Sequence, residues 1–165
     1  MTTDMMEMLS RARNTSCPIV GISTSDEPAT IREIGEHANF KNQPLVQYDC
    51  ATGLIGLNDD GEAALKSLGA KPEETIDFVV AMGFAKHTPQ GTILIVRNAH
   101  RQLVSMEPRD TAQAVQSVAN LRNPYKKNFR MAILLAPHFI APVELKRDVV
   151  LLEYPLPTTE RLVAI

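Results

Sequence analysis

Apolar positions in this chain follow two rhythms. Five short runs are nearly unbroken: Ile19-Val20-Gly21-Ile22, Leu45-Val46-Gln47-Tyr48, Thr92-Ile93-Leu94-Ile95-Val96, Met131-Ala132-Ile133-Leu134-Leu135 and Val149-Val150-Leu151-Leu152. Apolar on both alternating faces, most of them read as strands buried on two sides. Between them the apolar residues fall three or four apart, the spacing of one helix face. Thr3 and Asp4 start such a helix ahead of Met5, Met6, Met8 and Leu9. Ser25, Asp26 and Pro28 start another that carries Ile31 and Ile34, with a capping side chain followed by Pro in the first turn. Asp49 and Cys50 lead into a loop through Gly53, Gly56 and Gly61, and a short helix runs from Glu62 to Leu68. Pro72 opens a longer helix whose stripe is Ile76, Val79, Val80 and Phe84. A further helix over 109–121 carries Ala112, Val115, Val118 and Leu121 and is stopped by Asn123-Pro124. Pro142 to Leu145 makes one helical turn, and Pro155-Leu156-Pro157 begins a last helix.

Strands alternating with helices predict a three-layer α/β domain, with a mainly parallel five-stranded sheet and helices on both faces. Neither a repeat nor a linker divides the 165 residues, so a single domain over 1–165 is expected. Hydrophobic residues at 44% and charged residues at 22% exclude a disordered or fibrous chain. The apolar runs are far too short to span a bilayer, and Asp4 and Glu7 interrupt any leader-like start, which predicts a cytoplasmic protein. A formal net charge of −2 leaves nucleic acid unsupported as the main partner. Cys17 and Cys50 lack metal spacing and are expected to be reduced and structural, each beside a strand.

The order of these blocks resembles the α/β subdomain of AAA+ ATPases. It is most similar to the degenerate first AAA-like module of a branch whose chains carry a second, intact one. The residues that carry the resemblance are Leu9-Ser10-Arg11-Ala12-Arg13 leading into Pro18-Ile19-Val20, and Tyr48-Asp49-Cys50-Ala51-Thr52-Gly53-Leu54. Glu107-Pro108-Arg109, Ile133-Leu134-Leu135-Ala136-Pro137 and the stretch from Pro142 to Pro157 continue it. The resemblance implies a P-loop-like fold that here lacks the helical lid. It also implies oligomers with other AAA modules or with a linked ATPase domain. Any ATP and magnesium would belong to the linked second module, with no cofactor for this chain.

The catalytic positions fail one after another. A phosphate loop needs Gly-x-x-x-x-Gly-Lys-Ser/Thr after the first strand, whereas the chain has no Gly-Lys pair and offers Ser23, Thr24, Ser25, Asp26 and Glu27 there. The hydroxyls of Ser23, Thr24 and Ser25 could hold a small anion at most. The strand ending in Val96 should deliver an acidic pair for magnesium and water. It delivers Arg97 and Asn98, the latter expected to cap the next turn. The fourth strand ends in Ala136-Pro137, with no polar side chain to sense a γ-phosphate. Arg147 lies near the place where active relatives keep an arginine finger, and reads better as a surface salt-bridge partner.

Other chemistries find little support. Asn58-Asp59-Asp60-Gly61-Glu62 is a turn and not a calcium loop, because the ligand register fails. His37, His87, His100 and His138 are scattered without metal spacing, and there is no Gly-x-Ser-x-Gly elbow. No catalytic residue or metal ligand is therefore assigned. Asp49 at a strand tip keeps open an atypical ATP site, the enzyme alternative. Lys126, Lys127 and Arg130 form a basic cluster that keeps open an adaptor for RNA or protein. The favoured expectation is a noncatalytic module that serves assembly or regulation of an ATP-driven complex.

Overall fold

The computed structural model describes residues 4–104 and 107–155. Its sheet has six strands, β1 (Ile19–Ser23), β2 (Leu45–Asp49), β3 (Gly53–Gly56), β4 (Ile93–Val96), β5 (Met131–Ala136) and β6 (Val149–Glu153), in the order β3-β2-β4-β5-β1-β6. Five of them are parallel to one another. The sixth, β3, runs antiparallel to β2, with Tyr48 opposite Leu54 and Asp49 opposite Gly53.

Two helices cover one face, α1 (Met5–Asn14) and α2 (Glu27–Glu36). They bury Met6, Leu9 and Ile34 against Val20, Ile22, Ile95 and Ile133. The other face carries α3 (Asp59–Ser67), α4 (Phe78–Ala85), α5 (Ala99–Leu103), α6 (Pro108–Ala119) and α7 (Arg122–Lys127). There Phe78, Met82, Val115, Val118 and Tyr125 pack on Tyr48, Leu94, Val96 and Leu134. The three-layer reading holds, and the fold is consistent with a P-loop-like AAA domain; the strand count is corrected from five to six.

The extra strand is the stretch expected to be a glycine loop. Gly53, at φ +76°, turns the hairpin. Thr75 Oγ1 then accepts the outward N–H of Leu54 at 2.8 Å, satisfying an edge group that would otherwise be buried unpaired. The helix expected from Pro72 is also divided: a single turn spans Pro72–Glu74, and Asp77 caps α4 by accepting from Val80 N at 3.1 Å. The face of α4 is consequently rotated. Phe78, Ala81, Met82 and Ala85 are buried, while the expected stripe of Ile76, Val79 and Val80 is exposed. Asn123-Pro124 does not simply end a helix, because α6 stops at Ala119 and Pro124 lies in the first turn of α7, where a missing N–H costs little. Ala112 is exposed on α6, with Ala114 inside in its place. The helix expected from Pro155 lies almost entirely outside the described residues.

Tyr125 is fully buried, donates to Ala85 O at 2.8 Å, and is pushed up to about 12 by burial. Tyr48 is also raised to about 12, first by burial and then by its electrostatic interaction with Cys50, Asp77 and Asp49. In the unfolded chain both phenols ionise near 10. Their raised folded values contribute stability that is complete below about pH 10 and is lost as pH climbs toward 12. The denaturant midpoint should therefore hold steady up to about pH 10 and fall steeply above it, with Tyr125→Phe removing part of that fall.

Candidate functional site

In open α/β sheets ligands sit at the carboxyl ends of parallel strands, where neighbouring strands send their connections in opposite directions. Here that point lies between β1, whose chain crosses toward β2, and β5, whose chain crosses toward β6. The expected candidates Ser23, Thr24, Ser25, Asp49 and Asn98 all follow or end strands at this end of the sheet.

The link from β1 to α2 is short, only residues 24–26. Its polar groups are already engaged. Thr24 N donates to Ala136 O at 2.8 Å, carrying the β1–β5 ladder to its last residue. Asp26 N donates to Thr24 Oγ1 at 3.1 Å, Thr24 and Thr30 share a 2.8 Å hydroxyl hydrogen bond, and Thr30 Oγ1 donates to Asp26 O at 2.8 Å. Thr30 gives its only hydroxyl proton to Asp26, so Thr24 is the donor to Thr30, and the hydrogen bonds close into a ring. Asp26 Oδ1 accepts from Ala29 N at 3.1 Å and caps α2. Ser23 Oγ accepts from Phe139 N at 2.9 Å, which folds the segment after β5 across the tip of β1. The Phe139 ring fills the space over Gly21, where a Cβ would stand 2.3 Å from the ring. Ser25 is exposed.

The carboxylate of Glu27, the first residue of α2, reaches the residues that follow β4 at this end. Its Oε1 accepts from Arg97 Nε at 2.8 Å and its Oε2 from Asn98 N at 3.1 Å. Asn98 reaches this position in a left-handed conformation, φ 50°, and its side chain does not cap α5; the expected capping role is corrected. Asp49 Oδ1 accepts from Ala51 N and Thr52 N, each at 2.8 Å, and so shapes the β2–β3 turn. Burial alone would raise its carboxyl, but the bonds from Thr52 and Ala51 and the nearby Arg97 charge outweigh that and hold it below its ordinary range.

A family model described as SpoVK-like AAA ATPase, N-terminal domain, matches residues 3–154. The chain belongs to that family. No curated protein and no solved structure matches it.

The remaining candidates of this AAA N-terminal domain lie away from Glu27. Arg147 is exposed on the turn before β6, and the ion pair found there joins Arg122 to Asp148 at 3.0 Å. Lys126 and Lys127 are exposed in the last turn of α7, before β5 begins. Arg130 does not belong with them. It is 4% exposed, donating to Lys86 O at 2.9 Å, Thr88 O at 2.7 Å and Pro124 O at 3.1 Å, with its guanidinium 4.6 Å from the Tyr125 ring centre. Cys50 is exposed in the hairpin turn, not buried as a structural thiol, and Cys17 is half-buried; both are free. Among the described residues no cluster of His, Cys, Asp and Glu could hold a metal, and no helix is long and apolar enough to cross a membrane.

Sequence reasoning placed Glu27 at the phosphate-loop position but not its pairing with Arg97, and it missed Phe139. An acid beside Arg97 in space cannot be read from positions 70 residues apart.

Proposed function

We propose that this domain is a noncatalytic AAA-like module of a cytoplasmic ATPase complex, and that it serves assembly or regulation. The carrying observation is the Glu27 carboxylate held by Arg97 Nε and Asn98 N. An anion made by the chain itself sits where the family chemistry would bring phosphate and magnesium. No lysine stands there to offset a triphosphate, and Glu27 beside one would be repulsive. The Thr24 and Thr30 hydroxyls are committed to each other and to Asp26. These residues do not fit a magnesium triphosphate, so no step of ATP hydrolysis is derived from them. What the domain keeps is the frame, and AAA modules act alongside other AAA modules.

Calorimetric titration of the domain with ATP and ADP, with and without magnesium, should give no binding heat at millimolar ligand. Heat that saturates and depends on magnesium would establish the atypical ATP site instead. Sedimentation should show association with itself or with an intact AAA module. A domain that stays monomeric at high concentration and ignores such a module would remove the assembly role.

A further inference from the structure

Charge on this domain is sorted by region. The fold gathers the segments 10–18, 84–92 and 119–131 at the end of the sheet where β1, β4 and β5 begin. Arg13 donates to Gly91 O at 3.3 Å and lies 5.1 Å from the Phe129 ring centre, while Arg130 bonds the carbonyls of Lys86 and Thr88. These three segments hold seven of the chain's 17 Lys and Arg and no Asp or Glu, in a protein of net charge −2. Arg13 and Arg130 are spent on internal carbonyls, Arg122 is paired with Asp148 and Arg11 with Glu7. Lys86, Lys126 and Lys127 are exposed and point their charge outward. Beside them stands Phe129, 43% exposed at φ 57°, a conformation that is costly for a bulky side chain.

The complementary surface lies on the same chain. Residues 58–77, which form α3 and the turn flanking the edge strand β3, carry Asp59, Asp60, Glu62, Glu73, Glu74 and Asp77 against Lys66 and Lys71. All six acids are exposed. Two unlike, oppositely charged patches on one molecule can pair head to tail between copies. We infer that the Lys86, Lys126, Lys127 and Phe129 surface docks on the acidic α3 edge of a second copy of this chain. This rests on the assembly reading above and names the surfaces that carry it.

Sedimentation of the 165-residue chain at low ionic strength, where charge reaches about 30 Å compared with about 8 Å at physiological salt, tests the inference. Lys126→Glu/Lys127→Glu alone, and Glu73→Lys/Glu74→Lys alone, should each weaken association about tenfold or more. Mixing the two variants should restore it, because each then presents the charge the other needs. Melting curves matching the parent's confirm that all partners are folded. Association that survives both reversals, or that fails to return on mixing, overturns the inference while leaving assembly intact. A parent chain that never associates overturns both. Capture of single-stranded RNA by the parent, lost with Lys126→Glu/Lys127→Glu, would assign the basic face to nucleic acid and overturn it as well.

Discussion

Arg130→Ala should lower stability by about 3 kcal/mol, a fall of roughly 6–12 °C in Tm for a domain of this size. The guanidinium ties three carbonyls from two separate stretches, Lys86 and Thr88 on one side and Pro124 on the other, and stacks on Tyr125. Each bond to a charged donor is worth about 1.5–3 kcal/mol. The alanine variant has no guanidinium to desolvate on folding, which returns part of that, since burial opposes the charge and lowers the arginine's pKa. The remainder is what the truncation loses, along with packing on the tyrosine. Arg130→Lys should recover less than half, because a single ammonium cannot span the fork that reaches both stretches. Lys126→Ala and Lys127→Ala, exposed on the same helix, should stay within about 0.5 kcal/mol of the parent. Thermal melts of the four variants check the contrast. If Arg130→Ala melts with the lysine variants, its bonds contribute nothing net.

The second large effect is expected at Gly53. At φ +76° a Cβ would lie 2.1 Å from Pro72 O and 2.7 Å from Thr75 Oγ1. Left-handed backbone alone costs a non-glycine residue roughly 1–2 kcal/mol. The clash is with a main-chain oxygen, so relief requires the turn over Pro72–Glu74 to retreat from β3, loosening the Thr75 bond to Leu54 N. Gly53→Ala should therefore cost about 3 kcal/mol or more. Gly69→Ala separates the two contributions. Gly69 has φ +70° but open space around it, so its substitution should cost only about 1–2 kcal/mol. Equal losses at both positions in chemical denaturation would mean that the contact with Pro72 carries no energy.

The five parallel strands were legible because each is a run of apolar residues too dense for a solvent-facing strand. β3 was not. Gly53-Leu54-Ile55-Gly56 has two glycines in four residues and little intrinsic strand preference, and the strand is completed from outside by Thr75 and by α3. The rotated face of α4 has a similar origin. Ile76, Val79, Val80 and Phe84 fit helical spacing well, but the Asp77 cap and the turn ahead of it set a different start, which points Phe78 and Met82 inward. At the candidate site the absent lysine and acidic pair could be read directly from the residues. The pairing of Glu27 with Arg97, and the burial of Arg130 beneath a cluster that looked solvent-exposed, depend on contacts between distant segments.

The register of β1 sets a condition on how the chain is made. Ile19 pairs with Ala132 on one side and Val149 on the other, both more than a hundred residues further along. At about 5–20 residues per second of synthesis, β1 leaves the ribosome roughly 6–23 s before its first neighbour exists. During that interval Ile19, Val20 and Ile22 have no sheet to enter, and a strand that ends up buried between β5 and β6 stays an exposed apolar stretch of the nascent chain.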